Sequence, residues 1–321
     1  MAIKVKYIDL QMYIDFCIEN GGVFNSYEWL KNYTSGLIFC GVYEKETQLT
    51  AVFYYSKRRI AGFNYLHCPS FTPNNGFYAN LSSNNYASQK GEIKRVYTAI
   101  ADFFDSFVSS SIIKIAFPLD CIDMQPFVWK KYKVIPNYTY QIDLHQSVDV
   151  ILGKMTTERR NDIKKAKKDG VVIEKVSDYA IVKKLVLNTY SRTNVKKNDV
   201  MLDKILFEFA NSNNSFSFVA FLNGNPISAV FCIFDKQKAY YLLGGYDNQK
   251  KHSGAGALAL WSAIQHSQNM GLKVFDFEGS MIKPIEKFFR GFGGDLKPYF
   301  VINKANFLIE VGLKFFKREL Y

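Results

Sequence analysis

Several things are scarce in this 321-residue chain, and each scarcity closes off a class of function. The five cysteines (Cys17, Cys40, Cys68, Cys121 and Cys232) are odd in number, scattered and flanked by apolar sequence, and none forms a Cys-x-x-Cys pair. That excludes a disulfide framework and points to free thiols buried in a reducing compartment. The four histidines have no metal-ligand spacing, so no metal site is expected. Apolar runs never reach the length of a membrane span, and the N-terminus lacks the basic start and apolar stretch of a signal peptide. A cytoplasmic protein is the expectation. There is no repeat of solenoid period and no low-complexity segment. A covalent nucleophile is missing too: His67 and Cys68 adjoin, but neighbours in a strand point to opposite faces.

What is present suggests a folded, sheet-rich protein of two domains. Hydrophobic residues make up 48% and aromatics 16%, with 28 Phe and 21 Tyr. The net charge of +12 is uneven: between Lys154 and Lys204 stand 14 Lys+Arg against 7 Asp+Glu. Such a region attracts polyanions such as tRNA, a nucleotide-linked substrate or an anionic membrane face, or is a solvated basic surface.

The pattern divides into two halves of similar grammar, 1–146 and 147–321. In the first, Ser26 is a possible N-cap within Val23–Leu30, and strands are predicted at Leu37–Tyr43 and Leu49–Tyr55. An ordered turn-rich loop follows at Pro69–Gly76, then a long helix over Ser88–Val108 and a buried strand at Ile112–Phe117. The second half opens with a basic helix at Thr157–Lys168, a strand near Val171–Lys175, and helices near Tyr179–Tyr190 and Val200–Asn211. Strands Phe216–Leu222 and Ile227–Phe234 flank an Asn223-Gly224 hairpin signal, and Ala239–Gly245 is a third. A Gly-x-Gly loop, a helix at Gly256–Met270 and a buried strand at Val274–Phe277 complete the block.

Three antiparallel strands, a Gly-x-Gly loop, a helix and a further strand resemble the core of the GNAT acyltransferases. Lys251-His-Ser-Gly254-Ala-Gly256 is similar to that superfamily's donor-binding motif. The Arg159-Arg160 basic helix, the Phe275-Asp-Phe-Glu-Gly279 strand end, the Phe288-Phe-Arg-Gly-Phe-Gly-Gly294 loop and Phe24-Asn-Ser-Tyr-Glu-Trp29-Leu30 together resemble the FemABX family over nearly the whole chain. The resemblance implies an α/β (α+β) protein of two tandem GNAT-like domains, each a mixed, mostly antiparallel sheet flanked by helices. It also implies transfer of an acyl or aminoacyl group to an amine on a peptidoglycan or amino-sugar precursor. Acyl-CoA or aminoacyl-tRNA would be a co-substrate, with no tightly bound cofactor. Two departures leave donor and acceptor open: the helical arm of some members is missing, and Phe289 stands where bridge-forming members carry Lys. The alternative is a catalytically degenerate module that binds RNA or an anionic carbohydrate.

Aminolysis of an ester or thioester needs a polarised carbonyl, a neutral amine and a proton route. The backbone around Gly244, Gly245 and Tyr246 is the candidate oxyanion site, and Lys251, Ser253, Gly254, Ala255 and Gly256 are candidates for a donor phosphate. His252 is either a proton relay or a passive loop residue. Asp276 and Glu278 should share a face and bind or deprotonate the acceptor ammonium, unless they pair with Arg290 or Lys287. Arg290 and Lys287, with Arg159 and Arg160, are the candidate substrate-binding cations. The amphipathic Asn306–Tyr321 segment docks on its domain or touches the inner membrane face. The acceptor is expected to be a small-molecule or lipid-linked amine.

Overall fold

A computed structural model describes residues 3–19, 21–33, 36–60, 62–191, 199–250, 252–279 and 281–316. They form two compact units, Met1–Asn137 with Pro298–Tyr321, and Tyr138–Lys297.

In the first unit β1 (Ile3–Ile8) leads through α1 (Leu10–Cys17) and the short α2 (Tyr27–Leu30) to β2 (Leu37–Glu44), β3 (Gln48–Ile60) and β4 (Phe63–His67). The two-residue β5 (Tyr78–Ala79) pairs with β3. Then come α3 (Tyr86–Asp105), β6 (Ser111–Ala116), α4 (Gln125–Trp129) and the start of β7 (Lys133–Asp143). Ser26 caps α2 by accepting from the Trp29 N–H, as its place in the sequence suggests. The strands β1 to β4 are antiparallel to their neighbours, and β4 runs parallel to β6 after the α3 crossover. Phe53, Tyr97, Phe104, Phe117 and Phe127 fill the core between sheet and helices.

The second unit repeats the order. Helices α5 (Val148–Lys154) and α6 (Thr157–Lys168) precede β8 (Val172–Val176), α7 (Tyr179–Tyr190) and α8 (Asp199–Asp203). After them run β9 (Ser215–Leu222), β10 (Asn225–Phe234), β11 (Lys238–Tyr246), α9 (Ala255–Asn269), β12 (Val274–Asp276) and α10 (Lys283–Arg290). β8 to β11 are antiparallel and β11 runs parallel to β12. The Asn223-Gly224 turn takes φ of 50° and 72°, the left-handed pair that a tight hairpin requires. Phe275 and Phe277, both buried, meet edge-to-face and share a core cluster with Leu258, Trp261 and Ile264 of α9.

The closing strand β13 (Asp295–Lys304) and α11 (Phe307–Phe316) follow. Val301–Lys304 pair with Ala116–Ile113 of β6, so the last part of the chain packs with the first unit. Gln141–Asp143 of β7 pair with β12 instead. The compact units divide the chain at 137/138 and 297/298 rather than at 146/147: the second begins inside β7, and the first takes back most of β13. The Phe288–Gly294 stretch read as a loop begins inside α10, which Pro284 opens and Gly291 ends.

Candidate functional site

Strands β11 and β12 run side by side for only three residues, Lys238–Tyr240 against Val274–Asp276. Beyond that point β11 continues along β10 to Tyr246, while the chain after Asp276 follows β7, with Phe277 N–H bonding Tyr140 O. The two parallel strands thus splay. At the mouth of the splay the register of β11 slips: Phe231 faces Leu243 and Cys232 faces Tyr241, leaving Leu242 as a bulge. The bulge re-aims the backbone just where β11 loses its neighbour.

The first unit has the same strand order but no such opening. β4 pairs with β6 over Asn64–Leu66, with an unbroken β3–β4 register, and then leaves the sheet. Asn75 takes its place. Its N–H donates to Ala116 O and its carbonyl accepts from Tyr54 N–H. Its side chain accepts from Ala116 N–H and donates to Tyr54 O and His67 O. With Asn75 1% exposed, every polar group of the plug is satisfied and the gap is closed. Among the described residues no side chain is seen to bridge the second unit's splay in the same way.

Around that splay the candidate residues separate into available and engaged. Hydrogen-bonded pairs alternate along the ladder from the Asp247 N–H to Ile227 O bond, so the Gly245 N–H faces β10 and the Gly244 N–H faces the open side. A Cβ on Gly244 would lie 1.8 Å from the Tyr241 hydroxyl, so that hydroxyl covers one face of Gly244. Burial pushes that hydroxyl's pKa up, keeping it protonated. Gly245 packs against α7: a Cβ there would fall 2.4 Å from the Leu185 carbonyl carbon. Tyr246 N–H donates to Thr189 Oγ1 at 2.9 Å, so it is also engaged.

Asp276, 3% exposed, accepts from Thr139 Oγ1 (2.7 Å), Gln141 Nε2 (2.7 Å) and Glu278 N–H (2.8 Å). Burial raises its pKa and these donors oppose the rise. Glu278 is half-buried, and no hydrogen bond to its carboxylate exists among the described residues. Burial first, and then the Asp276 charge, push its pKa well above the usual carboxylate range, with Lys238 opposing. Its backbone sits at φ 60°, a left-handed conformation that costs a non-glycine residue about 1–3 kcal/mol and clusters at functional sites. One carboxylate is a braced fixture and the other is a strained, poorly solvated group beside the splay. Neither pairs with Arg290 or Lys287, which bond Glu286 (2.9 Å) and Glu158 (3.6 Å).

Most of the remaining candidates are bonded within the protein. Gly254 N–H donates to His252 Nδ1 (3.1 Å), so the ring proton is on Nε2, which donates to Asp169 (3.1 Å). His252 is thereby a loop brace. Gly254 itself is where α9 meets α6: a Cβ would stand 2.0 Å from Asp162 O. Ala255 N–H bonds His252 O, and Ser253 Oγ accepts from Lys165. That leaves the Gly256 and Ala257 N–H groups as first-turn donors without an intrahelical partner. Lys251 lies outside the described residues. Arg160 donates to the Leu152, Gly153 and Met155 carbonyls at the end of α5. Arg159, 6% exposed, bonds Asp162 and lies 4.3 Å and 5.3 Å over the Phe288 and Phe292 rings. It clamps α6 to α10.

Comparison with known proteins bears on the fold and on the domain that carries this region. Residues 155–287 match the acetyltransferase (GNAT) domain family. The crystal structure of FemX is similar over 97% of this chain and 99% of its own, at TM-score 0.66 and 12% identity. The C-terminal domain of a putative lysylphosphatidylglycerol synthetase from Agrobacterium fabrum is similar over 95% and 96%, at TM-score 0.56 and 11% identity. A tandem GNAT protein from the clavulanic acid biosynthesis pathway is similar over 95% and 98%, at 0.54 and 8%. No curated protein sequence matches. The matched domain is an acyltransferase domain, and the structural likenesses establish the tandem GNAT-like fold expected from the sequence.

Proposed function

We propose that this protein transfers an aminoacyl or acyl group from an activated donor to an amine on a cell-envelope precursor, at the β11–β12 splay. The observation that carries this is the contrast between the units: one splay is bulged and open, the other sealed by Asn75. The donor carbonyl would lie in the opening with its oxygen toward the Gly244 N–H, where negative charge develops as the amine attacks. Glu278, with its raised pKa, suits the task of taking the proton from the attacking nitrogen near neutral pH. A carbon–nitrogen bond forms and the ester or thioester bond breaks. The departing hydroxyl or thiol takes up a proton, and the Tyr241 hydroxyl, which lies against Gly244, is the candidate to supply it.

Of the two donors, aminoacyl-tRNA is favoured. The Gly254 and Ala255 N–H groups that would cradle a CoA pyrophosphate are bonded to His252, and Gly254 is closed by α6. The lysyl-lipid in the name of one similar protein supports an aminoacyl group as the one transferred and an envelope component as its acceptor. Thermal melting with acetyl-CoA, free CoA and uncharged tRNA tests this, since a ligand of the native state raises Tm. Stabilisation by tRNA is expected. Stabilisation by CoA alone would overturn the choice of donor, and indifference to all three would overturn acyl transfer.

A further inference from the structure

Helix α11 belongs to the first unit yet buries none of its described side chains. Phe307 is 75% exposed, Leu308 77% and Phe315 82%, with Val311 exposed between them. At 100° per residue these four fall within an arc of about 100°, so they form one apolar stripe rather than scattered exposures. Lys314 borders the stripe, and Glu310 is turned away to accept from the Ala305 N–H at the root of the helix. Ile309 and Leu313 on the far side are only half-buried.

The root of α11 lies beside a second exposed apolar group. Lys304, two residues before Asn306, bonds the Lys130 carbonyl (2.7 Å) and Asp105 (2.7 Å) and covers the Tyr132 ring. Lys130 directly follows Val128 and Trp129, which end α4 with 56% and 64% exposure. Exposed Lys131 and Lys133 come next in the chain. Lys131, Lys133 and Lys314 take part in no ion pair among the described residues. Aromatic and aliphatic side chains bordered by unneutralised lysines, on a chain of net charge +12, match an apolar interface beneath anionic headgroups.

We infer that α11, with the end of α4, is a docking surface for an anionic lipid bilayer. The helix lies in the interfacial plane, with Phe307, Leu308, Val311 and Phe315 among the acyl chains and the lysines at the phosphates. No helix among the described residues is long and apolar enough to cross a membrane, so the contact is peripheral.

Flotation with phosphatidylglycerol-containing vesicles, alongside pure phosphatidylcholine vesicles, reads this directly on the full chain. Binding to the anionic vesicles should be at least tenfold tighter and should weaken with salt. Changing Phe307→Ser, Leu308→Ser and Phe315→Ser together should lower it at least tenfold while Tm is unchanged, since none of the three is buried. Lys314→Glu should lower it about fivefold or more. Trp29 and Trp261 are buried, so a blue shift on vesicle addition reports Trp129. Failure of the wild type to float with anionic vesicles, or unchanged binding by the triple variant, overturns the proposal. So does light scattering that shows a dimer which the triple variant dissociates, for then the stripe covers a second copy. An unshifted Trp emission removes α4 from the surface and contradicts the placement.

Discussion

Replacing Glu278 by Gln removes a charge from a place poorly suited to hold one. Glu278 is half-buried, lacks a described hydrogen-bond donor and stands beside the buried Asp276 carboxylate. Its folded pKa is raised, so between its unfolded value, about 4.3, and its folded value the native state holds a proton that the unfolded chain has released. Stability therefore falls as pH rises through that window and stays lowered above it. The Gln side chain has the same shape and no such penalty. Glu278→Gln should be more stable than wild type at pH 8 by about 1–2 kcal/mol, or roughly 2–8 °C in Tm for a unit of this size. At pH 4 the difference should shrink to about 0.2 kcal/mol, because Glu278 is then protonated in the folded state and mostly protonated in the unfolded one. Transfer by the same variant should drop by about 10²–10⁴, the usual worth of a positioned base. Urea titrations at pH 4, 6 and 8 and a single-turnover transfer assay on the same preparations provide both readings. A variant less stable than wild type at pH 8, or a gap independent of pH, would refute the burial argument. Wild-type transfer would refute the catalytic one.

Two further substitutions separate scaffold from site. His252→Ala removes the acceptor for Gly254 N–H and the contact to Asp169, costing about 1–2 kcal/mol; calorimetry should show a lower Tm while the pH profile of transfer keeps its shape. Asn75→Ala leaves Ala116 N–H, Tyr54 O and His67 O without its side chain and should destabilise the first unit by about 2–4 kcal/mol. Hydrogen exchange should then rise in β3 and β6 and stay unchanged in β10 and β11.

Local signals in the sequence were strong wherever one residue decides one conformation. The basic helix begins and ends at the residues its pattern implied, capped by Thr156, and the Asn223-Gly224 pair makes its hairpin. Helix α10 was hidden because Phe288-Phe289 reads as loop packing, although Pro284 and Gly291 frame a helix. The bulge at Leu242 could not be read: it sits in a Leu-Leu pair of a strand packed on both faces, where alternation carries no information. The roles of Asn75 and Gly254 depend on partners far away in sequence, Ala116 and Asp162, so composition alone could not assign them. Charge misled most. Arg159, Arg160, Lys287 and Arg290, the candidate substrate-binding cations, each have a protein partner that the sequence does not announce.

Photolabelling tests the location of the reaction most directly. A diazirine-bearing acyl analogue of whichever donor raises Tm can be irradiated on the full chain and its adduct mapped by peptide mass. Labelling should fall within Lys238–Tyr246 or Val274–Gly279, lining the open splay. Labelling confined to Phe63–Gly76 or Ser111–Phe117, around the sealed counterpart in the first unit, would contradict it.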